Sequence, residues 1–336
     1  MNRRNQILVG LLVLQLIVLA FVFWPRSAVS GKEGQSLFPG IAADQIVGLA
    51  ITGADGQSVR LAKGADGWVL PDAGDYPVQV DKVPALLTKI VGLKASQPVA
   101  TTSSSLKRLK VAKDSFERLI EFQVADGSIH RLYLGSSPSY GANHVRADEQ
   151  NEVYLARGLS TQDAGNAASD WVDRDYLSIP QDQIVAFTLE NGQGRLDLEK
   201  NGGQWAMQGL AVGETLDQGK ITTLLNRVSP LTLVQPLGKE NKPEYGLQQA
   251  SAVLTIKAQS DAGVKTYTLR VGAPWTDRSQ GGQDTADKSY VVISSESPYF
   301  VRVSEYAVKD LVEKGKDEFL QLPPTLTPAA SATPQS

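Results

Sequence analysis

The chain carries two histidines, His130 and His144, and no cysteine, so few residues are available for acid–base, nucleophilic or metal chemistry. Without thiols there is no disulfide, no thiolate metal site and no Cys nucleophile. A general base needs a carboxylate within hydrogen-bond reach, and Asp126 stands near His130 in sequence. Neither histidine recurs where the chain repeats itself: Lys265 or Thr266 takes the place of His130, and Tyr290 that of His144. Both therefore read as surface side chains. No Gly-x-Ser-x-Gly, no phosphate-binding loop and no dinucleotide fingerprint is present. The sequence thus points to no catalytic residue, no metal and no cofactor.

The residues with most potential for contact are aromatic and acidic. Asp277, Asp284 and Asp287 lie in one run, Trp275 to Lys288, which invites a calcium reading. Their spacing lacks the alternate ligands and closing Glu of an EF-hand loop, so the run reads as a hairpin loop instead. The matching place earlier in the chain is Ser136 to Asn143. Tyr140 and Trp275 sit on these two segments, and loops on rigid scaffolds carry binding functions. Tyr140, Trp275, Asp277 and Asp284 are the candidate partner contacts. Lys107-Arg108-Leu109-Lys110-Val111-Ala112-Lys113 places four cations in seven residues, a pattern suited to an anionic surface or, more simply, to a solvated loop. The formal charge of −3 leaves no electrostatic footprint for nucleic acid.

Ile7 to Trp24 is uncharged and almost wholly apolar. As a helix it would span about 27 Å, close to a hydrocarbon core of ~30 Å. Its length favours a retained signal anchor over a cleaved signal peptide, although Ala28-Val29-Ser30 meets the small-residue requirement for cleavage. Arg3 and Arg4 precede it, which sets the amino terminus in the cytoplasm and the rest outside, in a single pass. The expected organisation is an anchor at 1–26, a spacer at 27–39, and a disordered Pro/Ser/Thr/Ala tail at 323–336.

Between spacer and tail the chain repeats. Ile46-Val47 recurs as Ile184-Val185, and Trp68 as Trp205 after a Gly-rich turn. Asp81, Val83, Leu86, Leu87 and Leu93 recur as Asp217, Ile221, Leu224, Leu225 and Leu231; Leu132, Leu134 and Gly135 recur as Leu269, Val271 and Gly272. Two homologous domains follow, 40–180 and 181–322. Alternation predicts hairpins at 46–53 with 57–63, 116–124 with 128–134, 143–147 with 152–156, 252–259 with 264–271, and 289–294 with 298–303. Helical spacing follows Asp81 and Asp217, and a short helix should end each domain. The class is α+β: two strand-rich domains in tandem, each an antiparallel sheet with one or two helices, after one transmembrane helix. Recurrence at one place makes Trp68 and Trp205 core residues.

This order of features resembles a bacterial family known as domain of unknown function 4340. The carrying features are the membrane segment, the repeated hairpin–Trp–helix, the Leu-Leu pairs Leu86-Leu87 and Leu224-Leu225, the Tyr245-Gly246-Leu247 turn, and the apolar-Gly pairs Leu134-Gly135 and Val271-Gly272. The first domain departs at the turn, with Leu109-Lys110-Val111. The resemblance implies an accessory component beside ABC transporters of the gliding-motility auxiliary type, and brings no catalytic residues. The expected function is a non-enzymatic, membrane-tethered, extracytoplasmic binding or scaffold module. Its partner would be a membrane or envelope protein, with ABC-transporter subunits as the implied candidates. The alternatives are a polysaccharide- or cell-wall-binding protein and an extracytoplasmic hydrolase.

Overall fold

The computed structural model describes residues 34–275 and 288–321. The proposed anchor, most of the spacer and the tail lie outside the described residues, as do Asp277, Asp284 and Asp287. Among the described residues, no helix is long and apolar enough to cross a membrane. The described chain is α+β, with many short antiparallel strands and few helices. It divides into two compact units, one from residues up to 46 plus 85–164, the other from 47–84 plus 165 onward.

The smaller unit is built on a four-strand meander in the order Tyr154–Arg157, Ala142–Ala147, Ile129–Leu134, Arg118–Val124. Every pairing is antiparallel, with Leu132 opposite Ile120 on one side and Ala147 on the other. Leu132, Leu134, Ile120, Phe122 and Val145 alternate into the core, as period-two patterning demands. A smaller cluster of Val111, Tyr133 and Val153 is flanked by Leu106, Leu109 and Phe116.

The larger unit contains the strands Ile46–Gly53, Ser58–Lys63 and Trp68–Leu70, which pair in sequence order. It also contains a nine-stranded sheet. Its meander Ala252–Ser260, Gly263–Pro274, Ser289–Ser294, Phe300–Ser304 has the same consecutive antiparallel order as that of the smaller unit. On one flank stand Ile184–Asn191, Gly194–Asn201 and Gln204–Met207, which pair in sequence order as Ile46–Gly53, Ser58–Lys63 and Trp68–Leu70 do. On the other stand Pro230–Gly238 and Asp175–Ser178. The strand Pro230–Gly238 breaks register between Leu233 and Gln235 and again between Pro236 and Gly238. Proline cannot donate to a ladder, so its strands carry such irregularities.

The helices follow the predicted spacing. Lys82–Val91 buries Val83, Leu86, Leu87 and Ile90, with Pro84 in its first turn. Gln218–Val228 buries Ile221, Leu224, Leu225 and Val228. Its cap is Asp217, which accepts from the Gly219 and Lys220 amides at 3.0 and 3.1 Å. Glu305–Glu313 is the expected late helix. At the corresponding place near residue 168 there is only the 3-10 turn Ala168–Asp170. The two tryptophans differ as well. Trp205 is buried edge-on against Phe187, whereas Trp68 is half-buried.

Two glycines show why the apolar-Gly pairs recur. A Cβ on Gly135 would lie 2.2 Å from the Leu109 carbonyl oxygen and 2.6 Å from the Val111 side chain. A Cβ on Gly272 would lie 2.0 Å from the Tyr245 carbonyl oxygen. In each unit a turn is laid directly on the strand, and only glycine admits it. The turns share their conformation: Gly246 has φ +67°, and Lys110, in the departing Leu-Lys-Val sequence, has φ +56°.

Candidate functional site

Tyr140 lies at the tip of the 136–141 turn between two strands of the smaller unit's meander, and its ring is fully exposed. Beneath it the turn is tightly braced. The single hydrogen of the Ser137 hydroxyl is shared between the carbonyls of Ser139 and Ala142, at 2.9 and 2.8 Å. The Ala142 amide closes on Ser139 at 3.1 Å, and Gly141 supplies the left-handed residue, with φ +71°. At the base, the Ser136 amide donates to the Leu109 carbonyl at 3.0 Å. His144 Nδ1 lies 2.8 Å from the Ser136 carbonyl oxygen, which can only accept, so this nitrogen carries the proton. The result is a rigid stalk presenting one aromatic ring. No ring or cation partners Tyr140 among the described residues, whereas the exposed Tyr306 has Arg227 at 4.6 Å.

Trp275 does not fill the matching role. It packs on the cluster of Tyr245, Leu247, Val291 and Phe300, with the Arg302 guanidinium 5.0 Å from its ring. Its backbone amide pairs with the Ser289 carbonyl at 2.7 Å, and its Nε1 is buried without a hydrogen-bond partner among the described residues. Trp275 is therefore a partly buried ring seated on a core cluster, where packing recovers much of its apolar area, rather than a ring standing clear of the fold. Asp277 and Asp284, predicted as its neighbours in binding, lie outside the described residues.

The two histidines occupy structural places. His130 stacks on Phe122 with centroids 5.5 Å apart, and its Nδ1 lies 3.1 Å from Asp148 Oδ2. Its Nε2 is 3.4 Å from Ser128 Oγ, so serine, histidine and aspartate stand in the sequence of a nucleophilic relay. The Ser128 hydroxyl, however, donates to Asp126 Oδ1 at 2.7 Å, as the Ser128 amide does at 2.8 Å. These two bonds hold the Asp126 carboxyl below its usual range. The hydrogen a base would remove is thus committed elsewhere, and the group braces a hairpin turn. Asp126, expected as the histidine's carboxylate, yields that place to Asp148. Sheet register also corrects the counterparts. Counted from Leu132 and Leu269, His130 corresponds to Tyr267; counted from the paired Ala147 and Ser294, His144 corresponds to Val291.

The cationic run is largely neutralised by its own neighbours. Lys107 pairs with Asp114, Lys110 with Glu117 and Lys113 with Glu149. Sequence reasoning missed Arg146. It is 3% exposed, lies over the Tyr133 ring at 3.9 Å, and donates to the carbonyls of Val111, Asp148 and Gln150 at 2.6, 2.9 and 3.2 Å. A buried cation is stable only when so enclosed, and this one ties a strand to the turn 147–150.

The fold is strand-rich α+β, with one fully exposed aromatic ring on a hydrogen-bonded turn. The family described as Domain of unknown function (DUF4340) matches residues 68–250, more than half of the chain, and the chain belongs to that family. No curated protein and no solved structure matches it.

Proposed function

We propose that this protein is a non-enzymatic binding module, tethered to the membrane through residues 7–24 with its folded part outside the cytoplasm. It engages a membrane or envelope protein through the Tyr140 turn, and subunits of an ABC transporter are the partner class that the family resemblance implies. The observation that carries the reading is a fully exposed tyrosine on a turn already closed by its own hydrogen bonds. Tyrosine offers a large amphipathic contact area at low entropic cost, and a rigid mount lowers that cost further. The tether would raise the effective concentration of the module for a membrane partner. The support for the tether is the uncharged Ile7–Trp24 segment preceded by Arg3 and Arg4.

We also propose that 40–180 and 181–322 arose by tandem duplication. Its support is the shared order of the two meanders and the paired placement of Gly135 with Gly272.

The test is to titrate membranes of the producing cell, solubilised, against the full chain and its Tyr140→Ala variant. A partner held through this turn is lost with a penalty of about 2 kcal/mol, roughly a thirtyfold weaker association. Equal recovery by both proteins contradicts the reading. Protease added to intact spheroplasts should digest the folded region; complete protection contradicts the topology.

A further inference from the structure

A cleft of about 320 Å³ opens within the larger unit, walled by four chain segments at 57–60, 70–73, 166–169 and 234–236. That volume lies at the lower end of the range for small-molecule sites. We propose that it binds a neutral, hydroxyl-rich ligand, a saccharide ring, in a site separate from the Tyr140 turn and independent of that reading.

The charge balance of the lining is the first argument. Arg60 and Asp72 both line the cleft and face each other as a fork: Nε donates to Oδ2 at 2.8 Å and Nη2 donates to Oδ1. The pair is bidentate and cancels its own charge. An anion here meets the Asp72 carboxylate beside the guanidinium, and a cation meets the guanidinium beside the carboxylate, so neither finds an unbalanced charge. A neutral ligand gives up no charge attraction by binding beside the pair.

The second argument is that the polar walls are fixed from behind. Asn166 Nδ2 donates to Asp55 Oδ1 at 2.9 Å, an approach that Gly53 permits, since a Cβ there would lie 2.3 Å from that nitrogen. The segment after it is anchored by the buried Trp171, whose Nε1 donates to the Gly165 carbonyl at 2.9 Å. Gln235 Oε1 accepts from Arg302 Nη1 at 3.0 Å. These bonds occupy one end of each amide and leave Asn166 Oδ1 and Gln235 Nε2 without a hydrogen bond among the described residues. The hydroxyls of Ser58 and Ser169 likewise have none. An acceptor, a donor and two groups able to do either line one small cleft. A sugar hydroxyl both donates and accepts, and neighbouring hydroxyls on a ring present that mixture at adjacent points. Val234, backed by the buried Leu70 and Pro236, adds an apolar wall for the C–H bonds of the ring.

The test uses the full chain in a polyoxyethylene detergent, because glycosidic detergents would compete. Saturation-transfer NMR is recorded with two neutral disaccharides, cellobiose and diacetylchitobiose, and inorganic phosphate is titrated by calorimetry. Ser169→Trp fills the cleft from one wall; Ser58→Trp fills it from another, on an exposed strand position that favours aromatic residues. At least one neutral disaccharide should bind and should weaken by at least about tenfold in each variant that keeps the parent melting temperature. Phosphate should produce no heat. The proposal is overturned if neither disaccharide binds, if binding is undiminished in a folded variant, or if phosphate binds and competes with the sugar.

Discussion

Leu109-Lys110-Val111 in the smaller unit and Tyr245-Gly246-Leu247 in the larger share no residue, yet both fold into the same kind of turn over a glycine of the neighbouring strand. The central residue takes a left-handed conformation in each, at φ +56° for Lys110 and +67° for Gly246. What differs is how the conformation is tolerated. Gly246 meets the demand without strain. It also avoids a contact that a Cβ would make 2.8 Å from the Ala273 side chain. Lys110 has no comparable glycine freedom and is held by its surroundings, which include an ion pair with Glu117. The pair of turns teaches that one backbone requirement can be met by different residues, and that sequence comparison is weakest at such a place.

Substitutions in four places would break or sharpen this comparison. The largest loss should come from the glycines beneath the turns. Gly135→Ala and Gly272→Ala each force a Cβ into a backbone carbonyl and should cost about 3 kcal/mol in denaturant unfolding. A loss below about 1 kcal/mol at either would mean that its turn is not seated as described. Next is Arg146→Leu. The smaller unit ties its turn with this guanidinium, whereas the same register position in the larger unit is Ile293. Removing the cation orphans three carbonyls and should cost about 2 kcal/mol, against less than about 0.5 kcal/mol for Ile293→Leu.

The exchange at the turn itself should have opposite signs in the two units. Gly246→Lys should destabilise by about 2 kcal/mol, from the left-handed penalty plus the Ala273 contact. Lys110→Gly should stabilise by about 0.5 kcal/mol, because relief of the same penalty is offset by a more flexible unfolded chain and a lost surface ion pair. Chemical denaturation of both variants decides it, and a shared sign would remove the basis of the comparison. The smallest effect on stability should be that of Tyr140→Ala, within about 0.5 kcal/mol, since its ring touches no core.

The regular elements were legible because their causes are periodic. Val83, Leu86, Leu87 and Ile90 recur at helical spacing and are all buried, and Asp217 is a capping residue that caps. The hairpins followed from alternation. The strand Pro230–Gly238 was missed because its prolines mimic a loop, and the sheet absorbs them through two register breaks. The packing of Trp275 is not legible locally, because its partners Tyr245, Val291 and Phe300 are distant in sequence. The cleft left no local signature at all. Ser58, Asn166 and Gln235 are unremarkable singly, and only the fold brings them together. Tyr140 was legible as a turn aromatic, while the serine and histidine bonds that stiffen its mount were not.

The proposed role rests most directly on what Tyr140 touches in the membrane. A photoreactive amino acid placed at position 140 of the full chain, and at the equally exposed Val212 as a control, can be activated in intact cells. The account predicts a discrete crosslinked protein from position 140 that is absent from position 212. The same product from both positions, or none from 140 while the chain is folded and membrane-bound, would contradict it.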